Sequence, residues 1–273
     1  MDKEFVVSKV AELTTWWIDQ RAAKIEQVEH GSMEVNPFLA PLICALHGLD
    51  DARELSAFIT AGHFYIGHGT GFGKLIDEKI LPQAFGTAKL DKSYRLANGL
   101  TDPAFDDIDQ IVMRPEGRYL LSQKASKWTI QLGQAMGLNR SFKSLLDMRE
   151  NGDFDFVKIV VGVFYGNDDE LTDKYRILRG ITTGAAHDVI DISNDVEVYA
   201  GRSFWAWLAG EAEAQEWVMM GIFRAIQAST AEEIEAQDAT EEIERKLTGM
   251  ISQVGDIRTE ADWVTFINGG VSP

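Results

Sequence analysis

The stretch that decides the fold is FDDIDQIVMRPEGRYLLSQKAS, which covers residues 105–126. It consists of two strand-like segments on either side of a short turn that contains proline and glycine, so we predict a β-hairpin. The hairpin would bring Asp109 of the first segment and Lys124 of the second to one end of the pair. Because side chains alternate along a strand, Ser122 and Lys124 share a face. An acid and a lysine on paired strands are typical of a site for a divalent metal ion and a water molecule.

The same spacing has a purely structural interpretation. Asp109 and Lys124 could form an ordinary cross-strand ion pair on a surface hairpin. The neighbouring residues argue against this, because Val112, Leu120 and Leu121 give the two charges an apolar setting. A charged pair on strands that are buried on both faces needs a chemical reason.

Several long blocks of sequence surround this hairpin in a fixed order. They are GTGFGKLIDEKILPQAFGTAKLDKSYR, FDDIDQIV, LLSQKASKWTIQL, VVGVFYGN, LTDKYRILRGI and VYAGRSFWAWL, together with the N-terminal segments WWI and NPF. The blocks resemble the type II restriction endonucleases of the PD-(D/E)xK superfamily, in particular the enzymes that cut purine-GGNCC-pyrimidine sites. The resemblance covers about residues 5–225 and weakens in the acidic tail.

The resemblance implies both a fold and an activity. We expect an α/β fold with a PD-(D/E)xK nuclease core, in which a mixed central sheet is flanked by helices, and helical N- and C-terminal dimerisation extensions. The implied activity is magnesium-dependent cleavage of both strands of double-stranded DNA at a GGNCC-type palindrome, which leaves 5'-phosphate ends. A palindrome presents two identical half-sites, so we expect a homodimer. The resemblance also implies a cognate methyltransferase, although not as a physical partner.

The resemblance also suggests roles for individual residues. Asp109 would bind Mg²⁺, with Asp77 or Glu78 as a second carboxylate. Lys124 would orient or deprotonate the attacking water. The superfamily pattern has an acid two positions before the lysine, where this chain has Ser122. We expect the serine to replace that acid through a water molecule, and the resemblance implies that the serine is inherited rather than disabling.

Basic residues near these segments are candidates for DNA contact. Arginine and lysine match the acceptors on the edge of guanine, so a target rich in GG and CC favours them as base readers. The alternative is that Arg176 and Arg179 contact only phosphates or pair with nearby aspartates, namely Asp168, Asp169 and Asp173. The full set of DNA-binding candidates is Lys74, Arg95, Lys127, Trp128, Lys174, Arg176 and Arg179.

The net charge of −17 is unusual for a protein that binds DNA, because lysine and arginine supply most non-specific affinity for phosphates. The charge is unevenly distributed. Residues 74–143 contain eleven Lys and Arg against eight Asp and Glu, a net charge of +3, whereas residues 211–273 contain four against thirteen, a net charge of −9. The acid is therefore concentrated in the tail, and the middle of the chain is slightly basic.

Composition limits the remaining possibilities. A chain of 273 residues with 45% hydrophobic content can bury a full core. A single cysteine, Cys44, excludes a disulfide framework and a cysteine-based zinc site. No apolar run approaches the roughly eighteen residues of a membrane span, and the start MDKEFVVSKV does not resemble a signal peptide. We therefore expect no membrane association and a cytoplasmic location.

The hydrophobic pattern divides the chain into three parts. Residues 1–65 are predicted to be a helical extension for dimerisation, with helices after Asn36 and Asp50. Residues 66–210 are predicted to be the catalytic core, and residues 211–273 an acidic helical C-terminal region. Within the core we expect a helix over 72–81, the hairpin, a helix over about 127–149, the strands VKIVVGVFYG, DVIDI and EVYAG, and the helix SFWAWL.

The glycine-rich stretch GHGTGFGKL, residues 67–75, resembles a nucleotide-binding loop but fails the pattern. His68 replaces the first glycine of the Walker sequence, and Leu75 replaces the Ser or Thr that would bind magnesium. We expect a flexible loop that leads into the N-terminus of the following helix, where free amides could meet a DNA phosphate. His63 and His68 lack a third ligand for zinc, and no GxSxG motif of a serine hydrolase is present.

Two other functions stay open at the level of sequence. A structure-selective or repair nuclease could use the same hairpin and would cut junctions or damaged DNA without sequence preference. A catalytically silent relative could bind only DNA or a partner, and Ser122 favours this alternative because the usual acid is missing.

Overall fold

The computed structural model describes the backbone of residues 1–27, 35–126, 129–182 and 186–267, and the side chains of these residues except those of 26, 230–238 and 265–267. The chain divides into two compact units. Residues 1–13 and 73–224 form the first, which we call the sheet unit. Residues 14–72 and 225–273 form the second, which we call the helical unit.

The sheet unit contains a five-stranded mixed sheet with its strands in sequence order. The strands are β1 (Ala88–Lys89), β2 (Gln110–Arg114), β3 (Gly117–Lys124), β4 (Ile159–Val163) and β5 (Val196–Ala200). β1, β2 and β3 are antiparallel neighbours, whereas β3, β4 and β5 are parallel. β2 and β3 form the predicted hairpin. The mixed α/β architecture expected from the sequence is therefore confirmed.

Helices account for most of the remaining chain. In chain order they are α1 (Lys3–Glu26), α2 (Ala40–His47), α3 (Ala52–Leu75), α4 (Leu81–Phe85), α5 (Lys92–Ala97), α6 (Leu132–Glu150), α7 (Asp173–Ile177), α8 (Arg202–Ala209), α9 (Ala214–Ala228), α10 (Thr230–Ser252) and α11 (Glu260–Ile267). A π-helical turn, Ile76–Ile80, joins α3 to α4, and short 3-10 helices span Pro103–Asp107 and Asp168–Glu170. None of the described helices is long and apolar enough to cross a membrane.

β4 lies at the centre of the sheet-unit core. Its sequence IVVGV is buried along its whole length, which is typical of a strand covered on both faces. Phe142 of α6 belongs to the same apolar cluster as Val161. The next residue, Gly162, points to the opposite face, where a Cβ would lie 2.2 Å from the ring of Phe204 in α8. The glycine therefore allows α8 to pack directly on the sheet.

The helical unit has its own apolar core. Ile25 of α1, Cys44 of α2 and Leu55 of α3 belong to one buried cluster with Leu247 of α10 and Trp263 of α11. The single cysteine is free and packs as a small apolar residue. The helices expected after Asn36 and Asp50 are confirmed as α2 and α3.

The glycine-rich stretch 67–75 is not the flexible loop that the sequence predicted. It is the second half of α3, which continues into the π-helical turn without a break, so the expected helix N-terminus near residue 72 is also wrong. Glycine lowers helix propensity, but packing overrides this preference. Gly71 is buried against α1, where a Cβ would lie 1.4 Å from the Arg21 guanidinium.

The segment DVIDI, residues 188–192, is not a strand either. Asn139 of α6 satisfies its backbone instead. The Asn139 amide donates to the carbonyl of Ile190 at 2.8 Å, and the Ile190 N–H donates back to Asn139 Oδ1 at 2.9 Å. A buried side chain thus replaces the strand partner that alternating apolar residues suggested.

Candidate active site

Asp109 lies immediately before β2, at the open end of the hairpin. Its backbone N–H donates to the carbonyl of Leu121 at 2.9 Å. Its Oδ2 accepts a hydrogen bond from the backbone N–H of Gln123 at 2.7 Å. The carboxylate therefore takes the place of a strand partner just before β2 begins, and this fixes its position relative to the end of β3.

Lys124 is the last residue of β3, on the same face as Ser122. Its Nζ donates to Ser122 Oγ at 3.1 Å and to the carbonyl of Gln123 at 2.9 Å. Ser122 is fully buried. The shared face expected from strand alternation is therefore observed, and the serine holds the lysine in place. Among the described residues, Lys124 forms no ion pair with Asp109.

The surroundings move both charged groups toward their neutral forms. Burial raises the pKa of the Asp109 carboxyl, and the negative charge of Asp77 adds to the rise, whereas the Gln123 N–H and the charge of Lys124 oppose it. Burial lowers the pKa of the Lys124 ammonium, against the opposing charges of Asp109 and Asp107. An acid and a base with opposite pKa shifts at one place are typical of catalytic sites.

A cavity of about 450 Å³ opens beside Lys124. It lies between the end of β3 and the first half of α6, and polar side chains line much of it, among them Asp107, Thr129, Gln134 and Ser141. Apolar contacts come from Ile130 and Leu138. A cavity of this size and polarity beside an acid and a lysine can admit a phosphate group and the atoms attached to it.

The two carboxylates expected from the helix before the hairpin behave differently. Asp77 turns toward the sheet: its Oδ1 accepts from Gln110 Nε2 at 2.8 Å, and its Oδ2 pairs with Lys89. Gln110 is fully buried, and its side-chain oxygen accepts from Thr87 at 3.0 Å. Glu78 is exposed on the π-helical turn. Asp77 therefore affects Asp109 through its charge, while its own oxygens are engaged.

The described residues contain no group of three or more His, Cys, Asp or Glu side chains arranged to hold a metal ion. Magnesium does not require such a group, because it commonly binds one or two protein carboxylates and takes its other ligands from substrate phosphates and water. Asp109 keeps Oδ1 without a hydrogen bond to any described residue. The donor set thus fits a cation that arrives with a phosphate-bearing substrate.

The proposed DNA-binding residues are not all alike. Lys74 is exposed in the last turn of α3, and Arg176 is exposed on α7, so both side chains face solvent. Lys127 and Trp128 lie outside the described residues. Lys174 pairs with Asp173 at 2.5 Å.

Two arginines of the predicted set have partners within the protein. Arg95 pairs with Asp106. Arg179 donates to the carbonyls of Val196 and Ser193, each at 2.9 Å, and so fixes the start of β5. A role in reading bases would require these bonds to break first. Arg176 is therefore better placed than Arg179 for a DNA contact.

One acid at this site did not figure in the sequence interpretation. Asp107 ends the 3-10 helix before Asp109, lines the cavity beside Lys124, and its charge acts on the pKa of Lys124. The signal in the sequence is the acidic run Asp106-Asp107-Ile108-Asp109, which places further carboxylates close to Asp109 along the chain.

Comparison with known proteins adds no counterpart, since no protein-family model matches the chain and no curated protein matches it at a significant level.

Proposed function

We propose that this protein is a magnesium-dependent endonuclease that cleaves both strands of double-stranded DNA. The observation that supports the proposal best is the half-buried Asp109 and Lys124 at the open end of the hairpin, with opposite pKa shifts and a polar cavity beside them. The order of elements around them, hairpin, helix and parallel strand, is that expected of a PD-(D/E)xK core. A GGNCC-type target and 5'-phosphate products belong to the proposal through the sequence resemblance alone.

Asp109 and Asp107 are the residues that would hold the metal ion. When bound, Mg²⁺ supplies positive charge that draws electron density from the scissile phosphate and stabilises the negative charge of the transition state. The raised pKa of Asp109 supports this assignment, because a buried carboxylate without a paired cation is stabilised when a cation arrives.

Lys124 would act on the attacking water. Its lowered pKa leaves more of the amine in the neutral form that can accept a proton, and its ammonium form can orient the water and stabilise negative charge. Ser122 keeps the lysine directed at this place through the 3.1 Å hydrogen bond. Attack of the water oxygen on phosphorus breaks the bond to the 3' oxygen, so the products carry a 5'-phosphate and a 3'-hydroxyl.

Two-fold assembly is the second part of the proposal. Large apolar side chains are exposed along α2 and the middle of α3 in the helical unit: Leu42, Leu46, Tyr65 and Ile66. A surface of this kind suits a second copy of the chain, and a homodimer would present two sites to the two strands of a palindrome. Leu42→Glu combined with Leu46→Glu is expected to shift the protein from dimer to monomer in sedimentation or light-scattering experiments.

A digest of plasmid DNA with magnesium tests the activity. We expect discrete fragments with the wild type and none with Lys124→Ala or with excess chelator. A smear would indicate a non-specific or structure-selective nuclease instead of a sequence-specific one. Intact plasmid under all conditions, with folding verified, would contradict the proposal.

A catalytically silent DNA-binding protein is the competing function, and one observation favours it. Asp77, the second acid expected from the sequence, is engaged by Lys89 and Gln110. If the plasmid stays intact while a duplex binds in a gel-shift assay, the silent alternative replaces the endonuclease.

A further inference from the structure

The helical unit contains a second cavity, of about 250 Å³, in which basic side chains converge. It lies between the last turns of α1 and the middle of α3. α1 contributes Arg21, Lys24 and Ile25, and α3 contributes His63, Phe64, Gly67 and His68. Arg21 and Lys24 supply the positive charge, while burial and the charge of Arg21 lower the pKa of His68 and keep it a neutral hydrogen-bonding group.

The basic groups of this cavity lack anionic partners among the described residues. Neither Arg21 nor Lys24 forms an ion pair or a side-chain hydrogen bond with any of them, and His68 Nδ1 is buried without a hydrogen-bond partner. Leaving a buried donor or acceptor unsatisfied is unfavourable. The cavity therefore has positively charged groups that are available to bind an anion.

The position of Arg21 depends on glycine. The guanidinium packs on the ring of Trp17, with 5.5 Å between its central carbon and the ring centroid, and against Gly71, where a Cβ would lie 1.4 Å from Nη2. Any other residue at 71 would displace the arginine. A glycine inside a helix is destabilising relative to alanine, so its presence here favours a role in seating the guanidinium.

A second glycine lines the cavity and leaves room there for a small side chain. Gly67 lines it, and a Cβ built there meets nothing within 4 Å. Phe64 and His68 stack with 5.9 Å between their ring centroids, and with Ile25 they give the cavity an apolar wall beside its charges. An anion attached to a small organic group would thus find contacts for both parts.

We propose that the cavity formed by Arg21, Lys24, His63 and His68 is a phosphate-binding site. A guanidinium offers paired donors in a plane, and an ammonium adds a mobile point charge, which together match the oxygens of a phosphate. The phosphate can belong to a free phosphorylated small molecule or to the backbone of DNA. The site is independent of Asp109 and Lys124, because it uses none of the residues of the candidate active site.

Isothermal titration of the full-length protein with inorganic phosphate, in buffer that contains chelator, is the first test. We expect saturable binding that Lys24→Gln and Arg21→Gln each weaken by about tenfold or more, as for the loss of one charge-assisted hydrogen bond. Gly67→Glu should abolish binding by placing a carboxylate in the cavity. Gly67→Ala should keep it, which separates a charge effect from damage to the helix.

Arg53→Gln is the matched control. Arg53 is exposed on α3 of the same unit and lines a different depression, beside Glu241 and Glu242, so the substitution removes one positive charge without touching the cavity. Phosphate binding should be unchanged. Equal weakening by Arg53→Gln and Lys24→Gln would mean attraction by net charge alone and would overturn the proposal, as would the absence of saturable binding in the wild type.

Two further titrations identify the source of the phosphate. If a deoxynucleoside 5'-monophosphate binds more tightly than inorganic phosphate while duplex binding is unaffected by Lys24→Gln, the site takes a free phosphorylated small molecule. If inorganic phosphate competes with a short duplex and Lys24→Gln weakens the duplex, the site takes the DNA backbone. Either result supports the site, and neither depends on cleavage, so a failure of the proposed nuclease activity would leave this test intact.

Discussion

The charged residues at the two ends of the β2–β3 hairpin differ in their partners and in their pKa shifts. At the turn end, Arg114 has partners within the protein: it donates to the carbonyl of Trp207 and lies over the rings of Tyr119 and Trp207, at 5.4 and 4.7 Å from the ring centroids. At the open end, Asp109 and Lys124 are half-buried without an ion pair between them, and both have pKa values shifted toward the neutral form. One strand pair thus carries an arginine held by a carbonyl and two aromatic rings, and an acid and a base that have hydrogen bonds but no ion pair with each other.

The difference separates structural charge from functional charge. Removing a half-buried charge leaves its partners unpaired and lowers stability, whereas a half-buried charge that is shifted toward its neutral form opposes folding and persists where its chemistry is needed. We therefore expect substitutions at the turn end to lower stability and leave chemistry intact, and substitutions at the open end to do the reverse.

The largest effect is expected at the open end. Asp109→Ala and Lys124→Ala should each remove cleavage, with a loss on the order of several kcal/mol of transition-state stabilisation. Specific DNA binding should survive Asp109→Ala, because removing a carboxylate reduces repulsion toward phosphate. Single-turnover cleavage assays and gel shifts on the same preparations measure the two properties. Near-normal cleavage by either variant would refute its assignment.

The turn end should respond in stability. Arg114→Ala is expected to lower the free energy of unfolding by about 3 kcal/mol, because it removes two cation–π contacts and a charged hydrogen-bond donor. Urea denaturation provides the measurement. Arg202→Ala is the control, since Arg202 forms only an exposed ion pair with Glu216 and should cost about 0.5 kcal/mol or less. Arg114→Ala should leave cleavage per folded molecule unchanged. A loss of cleavage comparable with that of Lys124→Ala would contradict the distinction between the two ends of the hairpin.

Ser122 links the two kinds of effect. Ser122→Ala should slow cleavage by roughly 1–3 kcal/mol, the value of one hydrogen bond to a charged group. Losing the oxygen that accepts from the ammonium disfavours the charged form of Lys124, so the limb of the pH–rate profile that reports this lysine should move to lower pH. An unchanged profile with slower cleavage would show that the serine acts by another route. Complete loss, with folding intact, would indicate a more direct role.

The smallest effect is a gain. Burial raises the pKa of Asp109, so the folded state disfavours the carboxylate. Stability therefore falls as the pH rises above the ordinary pKa of aspartate, and the loss is complete above the folded pKa. Asp109→Asn should therefore raise the free energy of unfolding at neutral pH by about 1 kcal/mol, while cleavage is lost. The gain should disappear in acid below the ordinary pKa of aspartate, where both side chains are neutral. Urea denaturation at neutral pH and in acid measures this difference. Lower stability of Asp109→Asn at neutral pH would show that the carboxylate does not destabilise the fold.

The hairpin and the central strand could be predicted because their signals are local. The turn Pro115-Glu116-Gly117 predicts the hairpin, and the continuous apolar run of β4 predicts the buried strand, each with little information from the rest of the chain. The glycine-rich half of α3 could not be predicted in this way, because at Gly71 it packs against Arg21, which is far away in the sequence. Local propensity indicates a loop there, and packing overrides it.

The site was predictable to a similar degree. Asp109, Ser122 and Lys124 follow from strand alternation, which the sequence displays. The choice between Asp77 and Glu78 does not, because neighbours on a helical turn point in different directions and the direction depends on the register of the turn. The sequence shows Asp107 two residues before Asp109, but not that it lines the cavity beside Lys124.

The direction in which Asp77 points depends on the number of residues in the π-helical turn Ile76–Ile80. A π-helical turn contains one residue more than the α-helical turn it replaces, and each residue of an α-helix turns the chain by about 100°. Deleting one residue from this turn would convert it to regular α-helix and rotate Asp77 away from Lys89 and Gln110 relative to α4. An insertion or deletion in this turn can therefore move Asp77 toward or away from the hairpin, with no substitution in the hairpin itself.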